Sequence, residues 1–218
     1  ESENDRISGY TADLSNLEKV RKMCAQLMND YSKIDILINN AGVFHTKTKR
    51  KKNYPDSRFV VNYLAPVVLT NELLPLLKKS DEPRIINLSS AAQSSISLDA
   101  LSGNDSLSTQ EAYAQSKLAL TMWSFQLAGE LAFANVIAVN PGSLLNTKMV
   151  QEAYGQYWSS ADKGAEIIYD LASPKKYAQS SGKYFDNDKG SFSKAHADAY
   201  DANKVDKLAA ITKSNLSL

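Results

Sequence analysis

Apolar residues recur at helical spacing from the start of the second ten residues. Leu17, Val20, Cys24, Leu27, Met28 and Tyr31 share one face, and Ser15-Asn16-Leu17-Glu18 forms a capping box, so the pattern predicts a helix over 15–31. The period then changes. Ile34-Asp35-Ile36-Leu37-Ile38 is short and β-branched and stops at Asn39-Asn40-Ala41-Gly42, the mark of a buried strand. The same form returns as Arg84-Ile85-Ile86-Asn87-Leu88 before Ser89-Ser90, and as Val136-Ile137-Ala138-Val139 before Asn140-Pro141-Gly142-Ser143. Helical patterns over 56–78 and 108–131 separate the three, and further helices over 161–172 and 193–213 flank a strand candidate at Gly182-Lys183-Tyr184-Phe185. Strands alternating with long helices predict one α/β domain over 1–218, a doubly wound parallel sheet covered on both faces. Ligands of such sheets bind outside the carboxyl ends of the strands, so the three polar endings should line the site.

Composition narrows the function. At 218 residues, 43% hydrophobic and 22% charged, the chain has the length and apolar content for one substantial core. Its 25 Lys+Arg against 24 Asp+Glu leave a net charge of +1, which provides no broad field for nucleic acid or an anionic membrane. A lone cysteine, Cys24, excludes an internal disulfide, and two histidines, His45 and His196, argue against a metal site. No uninterrupted apolar run reaches the roughly 18–20 residues of a membrane span and no signal-peptide pattern opens the chain, so a cytoplasmic location is expected. The basic run Lys47, Lys49, Arg50, Lys51 and Lys52 reads as a solvated loop. Asp186-Asn187-Asp188-Lys189-Gly190 reads as a turn, because the further ligands of a calcium loop are missing. Two Ser-x-x-Lys segments, Ser160–Lys163 and Ser173–Lys176, lack companion motifs.

Candidate chemistry centres on the helix over 108–131. Tyr113 and Lys117, one turn apart, share a face, and a cation there favours the phenolate of a tyrosine whose free pKa of about 10 is otherwise too high for proton transfer at neutral pH. Pro66 adds a second feature: it has no N–H to bond the carbonyl of Asn62, which predicts a kink and a free carbonyl able to hold a water. Taken in order, Asn39-Asn40-Ala41-Gly42, Ser89-Ser90, Tyr113-Ala114-Gln115-Ser116-Lys117 and Pro141-Gly142 resemble the short-chain dehydrogenase/reductase family, in its retinol-dehydrogenase-like branch.

The resemblance implies a Rossmann-like fold and reversible hydride transfer between NAD or NADP and a small-molecule alcohol or carbonyl. Asn62, Ser90, Tyr113 and Lys117 would be the catalytic residues. Tyr113 would be general acid and base, Lys117 would hold the ribose hydroxyls and lower the phenol's pKa, Ser90 rather than Ser89 would bind the substrate oxygen, and Asn62 would relay protons through a water. Asn39, Ala41 and Gly42 would stabilise the sheet and admit the cofactor ribose, and Asp13 and Leu14 would meet the adenine, although Asp13 equally suits the start of a helix. Pro141, Gly142 and Thr147 would border the nicotinamide. Family members pair through their catalytic helices, so a homodimer or homotetramer is expected. A catalytically silent dinucleotide-binding or interaction protein is the rival reading, and a sugar-nucleotide epimerase, normally larger at its C-terminus, is a third.

The pattern also departs from the family. No two of the nine glycines are separated by one residue, so the glycine-rich turn that meets the pyrophosphate is absent, and the chain opens on Glu1 rather than Met. An upstream segment with two strands and two helices is therefore expected, without which the chain would bind a dinucleotide weakly and fold poorly. In the family strand order 3-2-1-4-5-6-7, a strand near Ser8–Ala12 would be third and lack its neighbour. The stretch from Glu130 to Pro141 reads as short, as if residues were missing, whereas the connection 91–112 is long and should shape substrate access. Its Leu98, Leu101 and Leu107 would suit an apolar substrate or pack inward, and Tyr154, Tyr157 and Trp158 would cap the pocket or simply pack.

Overall fold

A computed structural model describes residues 6–46, 53–173 and 176–216. The basic run at 47–52 lies outside them. Among the described residues, 7–13 form no strand. Helix α1 (Leu17–Asp30) starts one residue later than the capping box implies: Asn16 caps it, accepting from Lys19 N at 3.2 Å. Ser15 is diverted, because its N–H and hydroxyl both donate to Asp13 Oδ1, at 3.0 and 2.7 Å.

Strand β1 (Ile36–Asn39) leads to helix α2 (Ser57–Phe59), a π-helical turn (Val60–Leu64) and helix α3 (Ala65–Leu77). The kink expected at Pro66 takes the form of this wide turn. Ala65 N–H reaches back five residues to Val60 O, and the extra residue lets the helix bypass the bond that proline cannot make. Segment Ser57–Leu77 is long and apolar enough to cross a membrane by length and composition, yet 72% of its most apolar window is buried within the fold, as befits a core helix.

Strand β2 (Arg84–Leu88), helices α4 (Leu98–Leu101) and α5 (Thr109–Glu130), and strand β3 (Asn135–Asn140) follow. A full capping box, Ser108 with Glu111, starts α5. The short connection after α5 is closed by backbone hydrogen bonds. Leu131 N bonds Leu127 O, Ala134 N bonds Leu131 O at 3.0 Å, and Asn135 N enters the sheet at Pro83 O. Helices α6 (Lys148–Tyr154) and α7 (Ala161–Ala172), strands β4 (Lys183–Asp186) and β5 (Ser191–Ser193), and helix α8 (Ala202–Leu216) complete the chain. The single helix expected over 193–213 is thus broken: a 3₁₀ turn at Ala197–Tyr200 precedes α8, and Asp201 accepts from Lys204 N, restarting the chain as a new helix.

The sheet runs β1-β2-β3-β4-β5, parallel except for the antiparallel last pair. Asn39 stands beside Asn87, and Leu88 beside Val139, so the polar endings of β1, β2 and β3 reach one rim. Helices α1, α3, α5 and α8 enclose the main core on one face, and α7 covers Ile86, Leu88, Ile137, Val139 and Phe185 on the other. This is the doubly wound arrangement expected. Strands β2 and β3 are buried almost throughout, whereas Ile36 and Ile38 of β1 remain 40% and 39% exposed beside a wide groove against α7.

The long connection is pinned at Gly103. Its φ is +82°, and a Cβ there would fall 2.3 Å from Tyr54 N. Gly103→Ala is therefore expected to destabilise the fold by about 2 kcal/mol or more, read as a lower denaturation midpoint in urea at unchanged slope.

Candidate active site

Helix α5 is buried along most of its length, and that fixes which side chains it can present to the rim. Lys117 is 4% exposed, and its Nζ donates to Leu88 O, the last carbonyl of β2, at 2.7 Å. One turn earlier the half-buried Tyr113 lies with its ring centroid 5.7 Å from that ammonium and lines the same cleft as Ser90. The two serines divide their tasks. Ser89 is buried, bonding Lys117 O at 3.1 Å and Thr121 Oγ1 at 2.6 Å, so it ties β2 to α5. Ser90 points to the cleft, and its carbonyl is held by Tyr184 Oη at 3.0 Å and Gln93 Nε2 at 2.8 Å.

The Tyr113 phenol shifts upward overall, against the lowering the spacing suggests. Burial raises the Tyr113 pKa, the nearby Ser90 side chain draws it partly back, and the neighbouring Tyr154 adds to the rise. Lys117 is itself lowered to about 8 by burial. An ammonium with one carbonyl partner in a dry site is easily neutralised, and its field on the phenol weakens accordingly.

Asn62 sits in the π turn. Its Oδ1 accepts from Val43 N at 2.7 Å, and its Nδ2 donates to Val43 O at 3.0 Å and to Ser116 Oγ at 3.0 Å. It therefore braces the segment after β1 against α5. That segment includes Gly42, where an added Cβ would lie 3.4 Å from both Asn62 Oδ1 and Lys117 Nζ and 3.5 Å from Met149 Cε. Space of this kind, beside an ammonium that spends one donor on Leu88 O, fits a ribose bearing vicinal hydroxyls.

The structure brings Ala41, Gly42, Ser90, Tyr113, Lys117, Pro141, Gly142 and Thr147 around one cleft of about 410 Å³. Thr147 also caps α6, accepting from Val150 N at 3.3 Å. Asn39, Asp13 and Leu14 do not line it. Asn39 is turned into the helical layer, donating to Asn87 Oδ1 at 2.7 Å and Thr70 Oγ1 at 3.2 Å, while Asn87 passes the chain to Ser124 at 2.8 Å. Asp13 is engaged by Ser15, which holds its carboxyl below the usual range, and Leu14 packs on the core.

A second space of about 380 Å³ opens beside Ser90 and Tyr113, walled by Phe44, Leu144, Met149, Tyr154 and Trp158. Tyr113, Phe44 and Tyr154 stack in series, with centroids 5.0 and 5.6 Å apart. Tyr157 is not among its walls. Of the leucines in the long connection, Leu101 is in the core and Leu107 packs against it, while Leu98 lines a separate small cavity with Met122 and Leu208. Sequence reasoning missed Phe44, Met149, Ser116 and the polar contacts of β4 and its turn. Only Asn140, a polar residue ending a buried strand, hinted at the last.

A Tyr–Lys pair on a buried helix, at the carboxyl rim of a doubly wound parallel sheet, defines a class of dinucleotide-site proteins. The family model for short chain dehydrogenases matches residues 1–158, and the chain belongs to that family. It is 33% identical over 206 residues to retinol dehydrogenase 13 of Homo sapiens, covering 85% of this chain and 62% of that one. Against retinol dehydrogenase 14 of Mus musculus the identity is 31% over 189 residues, covering 79% and 57%. The chain thus spans about 60% of the length of these curated relatives. Among solved structures, an uncharacterized protein of Mycobacterium paratuberculosis superposes with a TM-score of 0.71 at 25% identity, covering 94% of this chain and 74% of that one.

The buried lysine gives a signed prediction. Its folded pKa lies below the unfolded value, so folding penalises the charged form: the penalty is fully present below about pH 8 and disappears as pH rises to the ordinary lysine value of 10.5. Lys117→Met is expected to be more stable than wild type at pH 7, by up to about 3 kcal/mol, less what Leu88 O loses with its donor. Urea titrations at pH 7 and pH 10.5 check it, with the difference between the two proteins shrinking at the higher pH.

Proposed function

We propose that the chain transfers hydride reversibly between NAD or NADP and an alcohol or carbonyl, with Tyr113 as general acid and base. One observation carries the reading: the Tyr113 hydroxyl, Ser90 and the Lys117 ammonium share a single cleft at the carboxyl rim of the sheet. Membership of the short chain dehydrogenase family supports it. Ala41, Gly42 and Lys117 would hold the ribose, with Pro141, Gly142 and Thr147 bordering the nicotinamide, which supplies or accepts the hydride when bound.

In carbonyl reduction Tyr113 gives its proton to the substrate oxygen, and Ser90 holds that oxygen beside the phenol as charge develops. A phenol kept protonated by burial suits this direction. In alcohol oxidation Tyr113 takes the hydroxyl proton. The Asn62 carbonyl, which Pro66 cannot bond, would hold a water passing protons between Lys117 and solvent. The apolar space at Phe44, Met149, Tyr154 and Trp158, together with two relatives named retinol dehydrogenase, supports an apolar alcohol or aldehyde as substrate.

Tyr113→Phe retains the ring that packs on Phe44 and removes only the hydroxyl. Consumption of NADH and NADPH over a panel of apolar aldehydes is expected to fall at least about 100-fold in this variant, with cofactor affinity within about twofold of wild type. Undiminished turnover by Tyr113→Phe overturns the proposal.

A further inference from the structure

Past Asn140 the chain turns sharply: Gly142 has φ +126° and Leu144, a residue with a side chain, has φ +48°. Backbone of this kind persists where its surroundings over-determine it. Here the surroundings are supplied from a distance in sequence. Asp188 Oδ1 accepts from Ser143 N at 2.8 Å, and its Oδ2 accepts from Ser143 Oγ at 2.6 Å and Asn140 Nδ2 at 2.8 Å. Asn187 Nδ2 donates to Pro141 O at 2.8 Å, and Asn187 N donates to Asn140 O at 3.0 Å. Asn140 also donates to Asp186 Oδ1 at 3.0 Å and accepts from Gly142 N at 3.2 Å.

The turn between β4 and β5 does not need these contacts for itself, since Lys189 N already closes it on Asp186 O at 3.1 Å. Three donors converging on one carboxylate are short and charge-assisted, the strong kind of hydrogen bond. Asp188 itself does not line the cleft, whereas Pro141 and Gly142 do, and Ser143 borders the adjoining apolar space.

We propose that Asp188 is a positioning residue: through Ser143 and Asn140 it fixes the Pro141–Ser143 segment at the place where the nicotinamide half of the cofactor would bind. The inference rests on the functional reading above. Asp188 acts through the loop and touches neither substrate nor cofactor.

Hydrogen exchange at the Ser143 amide and binding of NAD and NADP are measured together on the full chain, for wild type, Asp188→Ala, Asp188→Asn and Ser143→Ala. Asp188→Ala is expected to speed exchange at Ser143 and to weaken cofactor binding, each about tenfold, with kcat at saturating cofactor within about twofold of wild type. Asp188→Asn retains an acceptor oxygen for the Ser143 amide and should recover most of the affinity. Ser143→Ala removes one donor and should lose about threefold. Unchanged exchange in Asp188→Ala, or faster exchange with unchanged affinity, overturns the inference. Should Asp188→Ala fail to fold, Ser143→Ala decides, and wild-type exchange and affinity in it overturn the inference. A full-length wild-type protein that binds neither cofactor overturns the functional reading and this inference with it, whereas equal binding by wild type and a folded Asp188→Ala overturns this inference alone.

Discussion

The hydrogen bond from Lys117 Nζ to Leu88 O is the constraint on which the site is built. A parallel strand that ends at the rim leaves its last carbonyl without a ladder partner, and a helix crossing beneath that rim can supply one only by burying a donor. Lys117 does so at the expense of its own hydration, which is why its pKa drops to about 8. Once the bond is made, the rotation of α5 is fixed. Tyr113, one turn earlier, is carried to the cleft, and Ser116, adjacent in sequence, is carried to Asn62. Three elements are thereby registered by one buried cation.

The same logic repeats along the rim in neutral form. Asn39, Asn87 and Ser124 make a chain of donors and acceptors from β1 through β2 into α5, and Ser89 with Thr121 makes a parallel one. Polar residues ending apolar strands satisfy backbone and side-chain groups that burial would leave unpaired, and they join sheet to helix with more directional preference than apolar packing provides. Residues that read as a cofactor motif, Asn39 foremost, therefore have a structural task that the fold requires independently of any ligand. Gly42 is of another kind, because its value lies in the side chain it lacks.

Much of this was legible in the sequence, and the reasons separate cleanly. The positions of β1, β2, β3, α5 and α7 follow from local periodicity, which is encoded in neighbouring residues. The Tyr113–Lys117 pair follows from helical spacing, a local property as well. What escaped reading depends on which local partner wins, as where Ser15 is taken by Asp13 so that Asn16 caps α1 and the kink at Pro66 takes the form of a π turn, and on pairing across distance, as where Phe44 packs on the ring of Tyr113. The direction of the Tyr113 shift escaped for the same reason. Spacing shows that a lysine is near, whereas the balance between its charge and the burial of both groups depends on everything packed around them.

That distance dependence explains why the far end of the chain matters to a site built in its middle. Strand β4 sends Tyr184 to the carbonyl of Ser90, and the turn after it sends Asn187 and Asp188 to the loop after β3. The two attachments meet the cleft from the β2 side and from the β3 side. A carbonyl and a loop held by one hairpin are tied to each other, so the hairpin helps to set the separation between Ser90 and the Pro141–Gly142 backbone. Its antiparallel pairing, reinforced by the edge-on packing of Phe185 and Phe192 at 5.1 Å, supplies that rigidity in a segment too short to be stable alone. Ser90, just past β2, and Tyr113 and Lys117 of α5 are thus held in part by elements from the next parallel strand and its returning partner.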